Sequence, residues 1–524
     1  MKKKLSTAAA LLLILLVGMI ALAACEPENT HKGRHTYTIS TAEELLAMAG
    51  NTGTDYDQIT YVLANDIDLA GAVWMPVGTS YDAAFCSAFD GCGYTISNVR
   101  LSTESSDTIA ETSSYAGFFG FTRNATIRNL TLAIDYNLGY TAETTYTGGL
   151  IGYAFGTTVL ENVTVNGTLN HVLANENTNI KLYTGGVLGA SNGSLTMNHV
   201  QSGVVLQAGR FEGTDSLGVK KEISRLHTAY AGGVAGYVRT VDLSASNTQD
   251  NIIENISYDG SICVYADRLN AGGAFGSVYN SSRTQNVYVN EGVELFFDSF
   301  YRANIGGAIG YADNTALMNS HCQAKSIEVI FSKTIEANKI LNVGGLTGYA
   351  ANHAAITGCS TQTIMVLSPE TDYAGGLAGV LSNSAISGCT ASGKYVIKYY
   401  DTGKLLDVYG NQLKRNGTYE IDTSKPAGVI ANVTMYRWAG IAGKLFGEAS
   451  LAEIDSDFDA VYAVSSLKIQ SVKALDEKDE NGKTKFEYFV STVDAQTITF
   501  RGDKTVEYIR NPGGTYDGIA VLPQ

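Results

Sequence analysis

The chain of 524 residues has a formal net charge of −15 and is 45% hydrophobic but only 17% charged. That balance excludes a disordered polyelectrolyte and argues against nucleic acid or an anionic lipid surface as partner. Its 56 glycines, 31 tyrosines and 6 prolines suit many short strands joined by tight turns rather than helices, so an all-β fold is expected.

Lys2, Lys3 and Lys4 precede the apolar run "AAALLLILLVGMIALAA", the basic and apolar regions of an export signal. The residues that follow, Leu22-Ala23-Ala24-Cys25, resemble the lipobox of bacterial lipoproteins. The resemblance implies loss of residues 1–24 and acylation of the Cys25 thiol; an ordinary signal peptide cut nearby is the alternative. No other stretch reaches the roughly 18 apolar residues of a membrane span. The remainder is therefore expected outside the cytoplasm, with the membrane as a partner only through the lipid on Cys25. Residues 25–36, ending in "EPENTHKGRHT", are polar and unpatterned and read as a tether.

Residues 37–105 read as an N-terminal cap with the first coils of a stack. Thr41 followed three residues later by Glu44 is a capping-box pattern. It predicts a short amphipathic helix with Leu45, Leu46 and Met48 on its apolar side. A cap of this kind keeps other chains off the exposed backbone edge of a stacked fold.

Across residues 106–450 the pattern Gly-x-x-Gly recurs at Gly117/Gly120, Gly149/Gly152, Gly186/Gly189, Gly233/Gly236, Gly273/Gly276, Gly307/Gly310, Gly345/Gly348, Gly376/Gly379 and Gly440/Gly443. The nine copies lie 31 to 64 residues apart, a variation that a solenoid tolerates because insertions leave the stack at its turns. After most copies comes a segment in period-two alternation, such as "TVLENVTVNG" or "AAITGCSTQT", the pattern of a strand with one face buried. One repeat cannot bury that face alone. Coils stacked ~4.8 Å apart bury one continuous core and satisfy each other's backbone groups. The expectation is a right-handed parallel β-helix, its hand set by the crossover preference, with Gly-Gly-Leu-x-Gly as the turn and strand that return each coil to register. Residues 202–230 and 394–437 read as long loops leaving the stack, and residues 451–524, which lose the motif, as a β-rich C-terminal cap.

The copies "TGGLIGYAFGTTVLENVTV", "VGGLTGYAANHAAITGCS" and "AGGLAGVLSNSAISGCT" resemble GLUG repeats of bacterial surface proteins, among them adhesins and the non-catalytic part of IgA-cleaving metalloproteases. The lead-in "TISTAEELLAMAG", "YVLANDIDLAG" and "WMPVG" is similar to the sequence that precedes such repeats. The resemblance covers roughly residues 38–450. It implies a right-handed parallel β-helix on a surface protein and implies no activity.

The chemistry-bearing patterns are few. A zinc protease needs His-Glu-x-x-His, which places two imidazoles one helical turn apart beside a base; that motif and paired Cys-x-x-Cys are missing from the sequence. No catalytic residue, cofactor or metal is assigned. Asp455, Asp457 and Asp459 in "IDSDFDA" would share one strand face without an adjacent histidine, arginine or lysine. They read as a solvated edge or a terminal calcium site ahead of catalytic carboxylates. The run "EKDENGKTKFEY" from Glu477 reads as an Asn-Gly hairpin turn ahead of a calcium loop. Arg501-Gly502-Asp503 spells an integrin-type tripeptide, of which chance supplies on the order of 0.1 in such a chain. Tyr153, Tyr237, Tyr311 and Tyr349 follow the motif directly. They predict an aromatic ladder that either packs coil on coil or grips sugar rings or a protein partner.

Six cysteines remain after Cys25. Cys359 and Cys389 take the place held by Leu130, Val163 and Ile256 in other copies and should point inward as neighbours on one interior ladder. In-register strands keep such neighbours near ~4.8 Å, slightly beyond the ~3.5–4.5 Å Cβ separation of a relaxed disulfide, so free thiols are favoured over a strained bridge. Cys86 and Cys92 either close a short loop or stay free. The sequence thus reads as a lipid-anchored surface protein whose rigid acidic rod binds a host protein or glycan without enzymatic activity. A polysaccharide-active β-helix and an envelope spacer are the alternatives.

Overall fold

The structure is a computed structural model that describes residues 35–70, 72–101, 115–140, 143–173, 179–214, 220–224, 226–240, 250–299, 301–330, 340–367, 371–398, 405–407, 412–413, 419–420, 437–456, 469–478, 484–490, 508–510 and 516–518. The export segment and Cys25 lie outside the described residues.

One coil shows the plan. A first strand (Thr144–Gly148) runs into the glycine pair, a second (Ile151–Phe155) leaves it, and a long third strand (Thr158–Leu173) closes the turn. Each pairs in parallel with its counterparts in neighbouring coils: Tyr146 with Tyr183, Tyr153 with Ala190, Val163 with both Leu130 and Val200. The same pairing carries through all nine motif copies to the coil of Arg437–Ala439 and Ala442–Phe446. The fold is a parallel β-helix solenoid. Alternation along the first strands sends Leu182, Ala229, Leu269, Ala303 and Leu341 inward in register, all buried. Together with the other inward rows they form one apolar core from Ile39 to Ile454.

The glycine motif is divided between a bend and a strand. None of the eighteen motif glycines has positive φ. Only the first glycine of each pair sits at the bend between strands. The second does not turn the chain: Gly120, Gly152, Gly189, Gly236, Gly276, Gly310, Gly348, Gly379 and Gly443 each lie buried inside the second strand of their coil, as its second residue. The motif is thus a bend followed by a strand, and its second glycine is a strand residue selected for lacking a Cβ.

The left-handed positions are mainly asparagines at two corners: Asn129, Asn162, Asn255, Asn286 and Asn319 at a bend within the third strand, and Asn124, Asn280, Asn314, Asn352 and Asn383 before it. Asparagine tolerates this conformation better than other residues with a Cβ. Its side chain also binds along the stack, as Asn162 Nδ2 does to Asn129 Oδ1 (3.0 Å) and Asn286 Nδ2 to Asn255 Oδ1 (2.9 Å). Gly358 and Gly388 replace asparagine on the first of these rows, at φ +65° and +61°.

At the N-terminal end, strands His35–Ile39, Ile59–Leu63 and Ala88–Asp90 pair in parallel with one another and then with Thr126–Tyr140. Helix α1 (Ala42–Met48) carries the full capping box: Thr41 accepts from the Glu44 N–H and Glu44 from the Thr41 N–H. Leu45 and Met48 are buried, but Leu46 is exposed, because it sits ~100° round the helix from Leu45 and off the apolar stripe. The cap closes on aromatics. Trp74 is fully buried, stacks on Phe118 (4.4 Å, 8°) and donates from Nε1 to the Phe118 carbonyl (2.8 Å).

Both segments read as long loops begin as strands of the stack. Residues 202–208 complete the third strand Leu195–Ala208, and Leu226–Gly232 already is the next first strand. Between them the antiparallel pair Arg210–Thr214 and Lys220–Ser224 leaves the stack. Likewise Thr390–Lys398 finishes a third strand, followed by short antiparallel strands Leu405–Asp407, Gln412–Leu413 and Tyr419–Glu420. Period-two alternation in "VQSGVVLQA" continues the strand through the place where the motif count suggested an exit. Beyond the last coil, Ile469–Lys478, Thr484–Val490, Tyr508–Arg510 and Tyr516–Gly518 form an antiparallel sheet. Asp457, Asp459, the Asn481-Gly482 pair and Arg501-Gly502-Asp503 lie outside the described residues.

Candidate binding seam

The motif glycines matter through close approach. A Cβ on Gly152 would stand 2.9 Å from both Ala116 N and O, and one on Gly189 2.6 Å from Thr147 N. The same wall recurs up the rod: a Cβ would run into Thr184 N at Gly236, Ala231 N at Gly276, Ala271 N at Gly310, Ile305 N at Gly348, Val343 N at Gly379 and Ala374 N at Gly443. At Gly120, where the stack meets the cap, the obstacle is the Gly78 carbonyl. The second strand of each repeat therefore lies against the first strand of the coil before it, with no room for a methyl group between them. The outward side chains of the two strands are brought together along the outside of this corner.

Those side chains are tyrosines. On the first strands Tyr115, Tyr146, Tyr183 and Tyr230 occupy one register row and stack with centroids 5.4, 4.7 and 4.7 Å apart and ring planes within 16°. On the second strands Tyr153, Tyr237, Tyr311 and Tyr349 do share one row, but Ala190 and Ser277 interrupt it. Only Tyr311 and Tyr349 stack on each other directly (5.5 Å). Tyr153 instead meets Tyr146 edge to face at 4.8 Å. Tyr237 crosses to Tyr230 (5.2 Å), and Tyr279 bridges from Tyr237 to Tyr311 (5.3 and 5.4 Å). The result is one continuous chain of rings from Tyr115 to Tyr349. Its first-strand members, absent from the sequence expectation, had a signal: "YTGG" at 146 and 183 and "YAGG" at 230 place a tyrosine two residues before the glycine pair.

Further along, the same first-strand row changes to Asn270, Asn304 and Asn342. Their amides form a donor chain: Asn342 Nδ2 to Asn304 Oδ1 (2.7 Å), Asn304 Nδ2 to Asn270 Oδ1 (2.8 Å), and Asn270 Nδ2 across to Ser277 Oγ (3.0 Å). Burial, reinforced by neighbouring tyrosines, pushes the hydroxyls of Tyr146, Tyr183 and Tyr279 up. Burial and then the Asp313 carboxylate, which accepts from the hydroxyl at 3.1 Å, do the same for Tyr311. These hydroxyls stay protonated at neutral pH. Tyr183, Asn304 and Asn342 are buried and the other rings half-buried, so the seam presents mainly ring edges, hydroxyls and the Asn270 amide to solvent.

An open groove of about 660 Å³ runs along the outside of four successive coils, lined by Gln323, Lys325, Gln362, Thr363, Ser392 and Lys394 and by one acid, Glu291. Lys325 is tied to Glu294 at 2.6 Å. Acid–base hydrolysis of a glycoside needs two carboxylates flanking the bond, and the groove lining does not bring two together. Among the described residues no group of three or more histidines, cysteines, aspartates or glutamates could hold a metal. Asp455 is exposed on a short terminal strand.

Cys359 and Cys389 lie on the interior row of Leu130, Val163, Val200, Ile256 and Val287, one residue ahead of the paired Ser360 and Thr390. Both are buried, and Cys389 Sγ accepts from the Cys359 N–H at 3.3 Å. Hydrogen bonding to Cys389, then burial, pushes the Cys359 thiol up. Burial drives Cys322 to about 12. Cys86 is buried against Phe121, whereas Cys92 is exposed at a left-handed turn; the two are free thiols and no bridge closes that loop.

Compared with known proteins, residues 143–170 match the GLUG motif. A search of curated proteins finds no match. Among solved structures, that of a "putative immunoglobulin A1 protease from Bacteroides ovatus" aligns over 82% of this chain and 87% of that one, at 14% identity and a TM-score of 0.34. At that score the likeness carries no argument about fold or activity. The matched GLUG motif spans one first strand, one glycine corner and most of one third strand, the unit from which the solenoid is built.

Proposed function

We propose that the protein is a non-catalytic binding rod, displayed outside the cell and held there by a lipid on Cys25, that captures an extended ligand along the glycine corner. The observation carrying this reading is the continuous chain of tyrosine rings, most of them half-buried, that crosses between the two strand rows from coil to coil and runs on into the Asn270 amide. A backbone-anchored row is already ordered, so binding there sacrifices little side-chain freedom, and tyrosine supplies contact area with a hydroxyl at its end. The test is a glycan and host-protein array probed with the full chain. Saturable binding is expected, weakened about tenfold or more by Tyr237→Ala. No saturable ligand on the array would overturn the reading in favour of an envelope spacer.

A further inference from the structure

Four cations among the described residues share this corner of an acidic chain. Register places Lys181, Thr228, Arg268 and Arg302 on a single outward row of four consecutive first strands, two residues before the tyrosine–asparagine row. Arg239, two residues beyond Tyr237, faces them from a second strand. Arg239, Arg268 and Arg302 are exposed. Lys181 sits over Tyr183 and Tyr230 (5.0 and 5.6 Å to the centroids), and Arg268 over Tyr301 at 4.8 Å. Arg239 acts electrostatically on Tyr153 and Tyr183, and Arg302 on Tyr230 and Tyr311. Among the described residues none of these four cations is in an ion pair, whereas Arg100, Arg128, Arg283 and Lys325 elsewhere on the rod are. Of the acids near the corner, Asp313 is engaged by the Tyr311 hydroxyl and by Asn352 Nδ2 (2.9 Å), and Asp267 lies 4.0 Å from His227.

Resting on the binding role proposed above, we infer that the ligand is an anionic polysaccharide lying along the rod, its acid groups held by Lys181, Arg239, Arg268 and Arg302. Three features select it. The cations spread over about 14 Å at ~4.8 Å per coil, too far for one small anion and suited to a chain with charges at intervals. The rings pack against one another along the seam, so a ligand lies on it instead of inserting side chains between them as a peptide would. Between the cations stand neutral tyrosine hydroxyls and the Asn270 amide, partners for sugar hydroxyls, while planar guanidinium groups match carboxylate or sulfate with two hydrogen bonds.

The experiment measures binding of the full chain to polygalacturonate, to its methyl ester, which has the same backbone without charge, and to poly-glutamate. Expected are saturable binding to polygalacturonate that weakens as salt rises, at least tenfold weaker binding of the ester, and at least tenfold loss in the Arg268→Gln/Arg302→Gln double variant. Arg283→Gln, whose side chain is paired with Glu254 on another strand, should bind as the parent does. Both variants alter exposed groups, and circular dichroism verifies their fold. Equal affinity for acid and ester, or no loss in the double variant, overturns the anionic assignment while leaving a binding rod. Tighter binding of poly-glutamate overturns it in favour of an acidic peptide. Failure to bind any of these, together with an empty array, overturns the binding role itself.

Discussion

His171 is fully buried on a third strand, its Nε2 3.0 Å from the Thr184 hydroxyl of the next coil. Burial holds its pKa down to about 3 from the ordinary 6.5. Between those values the unfolded chain binds a proton that the folded chain does not, so stability falls as pH drops through the window. Asp90 adds to this only lower down: burial works to raise it, but hydrogen bonds from Asn129, the Cys92 N–H and Arg128 outweigh that and hold it below the usual carboxylate range. The span from pH 6.5 to about 4 therefore reports His171. Thermal melts across it should show a falling midpoint in the parent and a nearly flat one in His171→Leu; equal slopes would refute the assignment. At this scale the cysteines were legible, because a small residue alternating in phase with Leu130 and Val163 can only face the core. His171 was not, since its strand continues past the alternating segment on which the phase was read.

At the glycine corner the structure adds what the motif does not say. Gly-x-x-Gly signals architecture correctly, but a repeated glycine looks the same whether it supplies positive φ or merely lacks a Cβ. Here the two uses are separated. Gly189 has ordinary φ and a wall of backbone around its would-be Cβ, with Thr147 N at 2.6 Å. Gly388 has φ +61° with nothing nearer than 3.8 Å. Gly189→Ala should therefore cost about 1–3 kcal/mol as overpacking. Gly388→Asn should be nearly neutral, since asparagine fills that corner in other coils. Chemical denaturation of the two variants distinguishes them, and a neutral Gly189→Ala would mean the strands can part. Aromatic placement failed in part at the same scale. Tyr153, Tyr237, Tyr311 and Tyr349 were found by their position after the motif, while Tyr146, Tyr183 and Tyr230 before it went unread, although both sets meet across the corner.

Over the whole rod, each coil touches only its neighbours, so stability is a sum of local terms and opening starts at free ends. Amide exchange should be slowest around Val163, Val200 and Ile256 and faster in the last coil near Ala442; uniform protection would argue for a single all-or-none unit. The sequence by itself determined the solenoid, its nine motif-bearing coils, its capping box and its interior rows, because period-two burial and a recurring corner are local patterns that parallel stacking must repeat. Only the tertiary structure decided what the outer surface is. Whether an outward tyrosine meets another ring, and whether Arg268 and Arg302 stand unpaired beside it, depends on register between coils 31 to 64 residues apart in the chain. Insertions of varying length hide that register from the sequence, and backbone hydrogen bonding between stacked strands restores it.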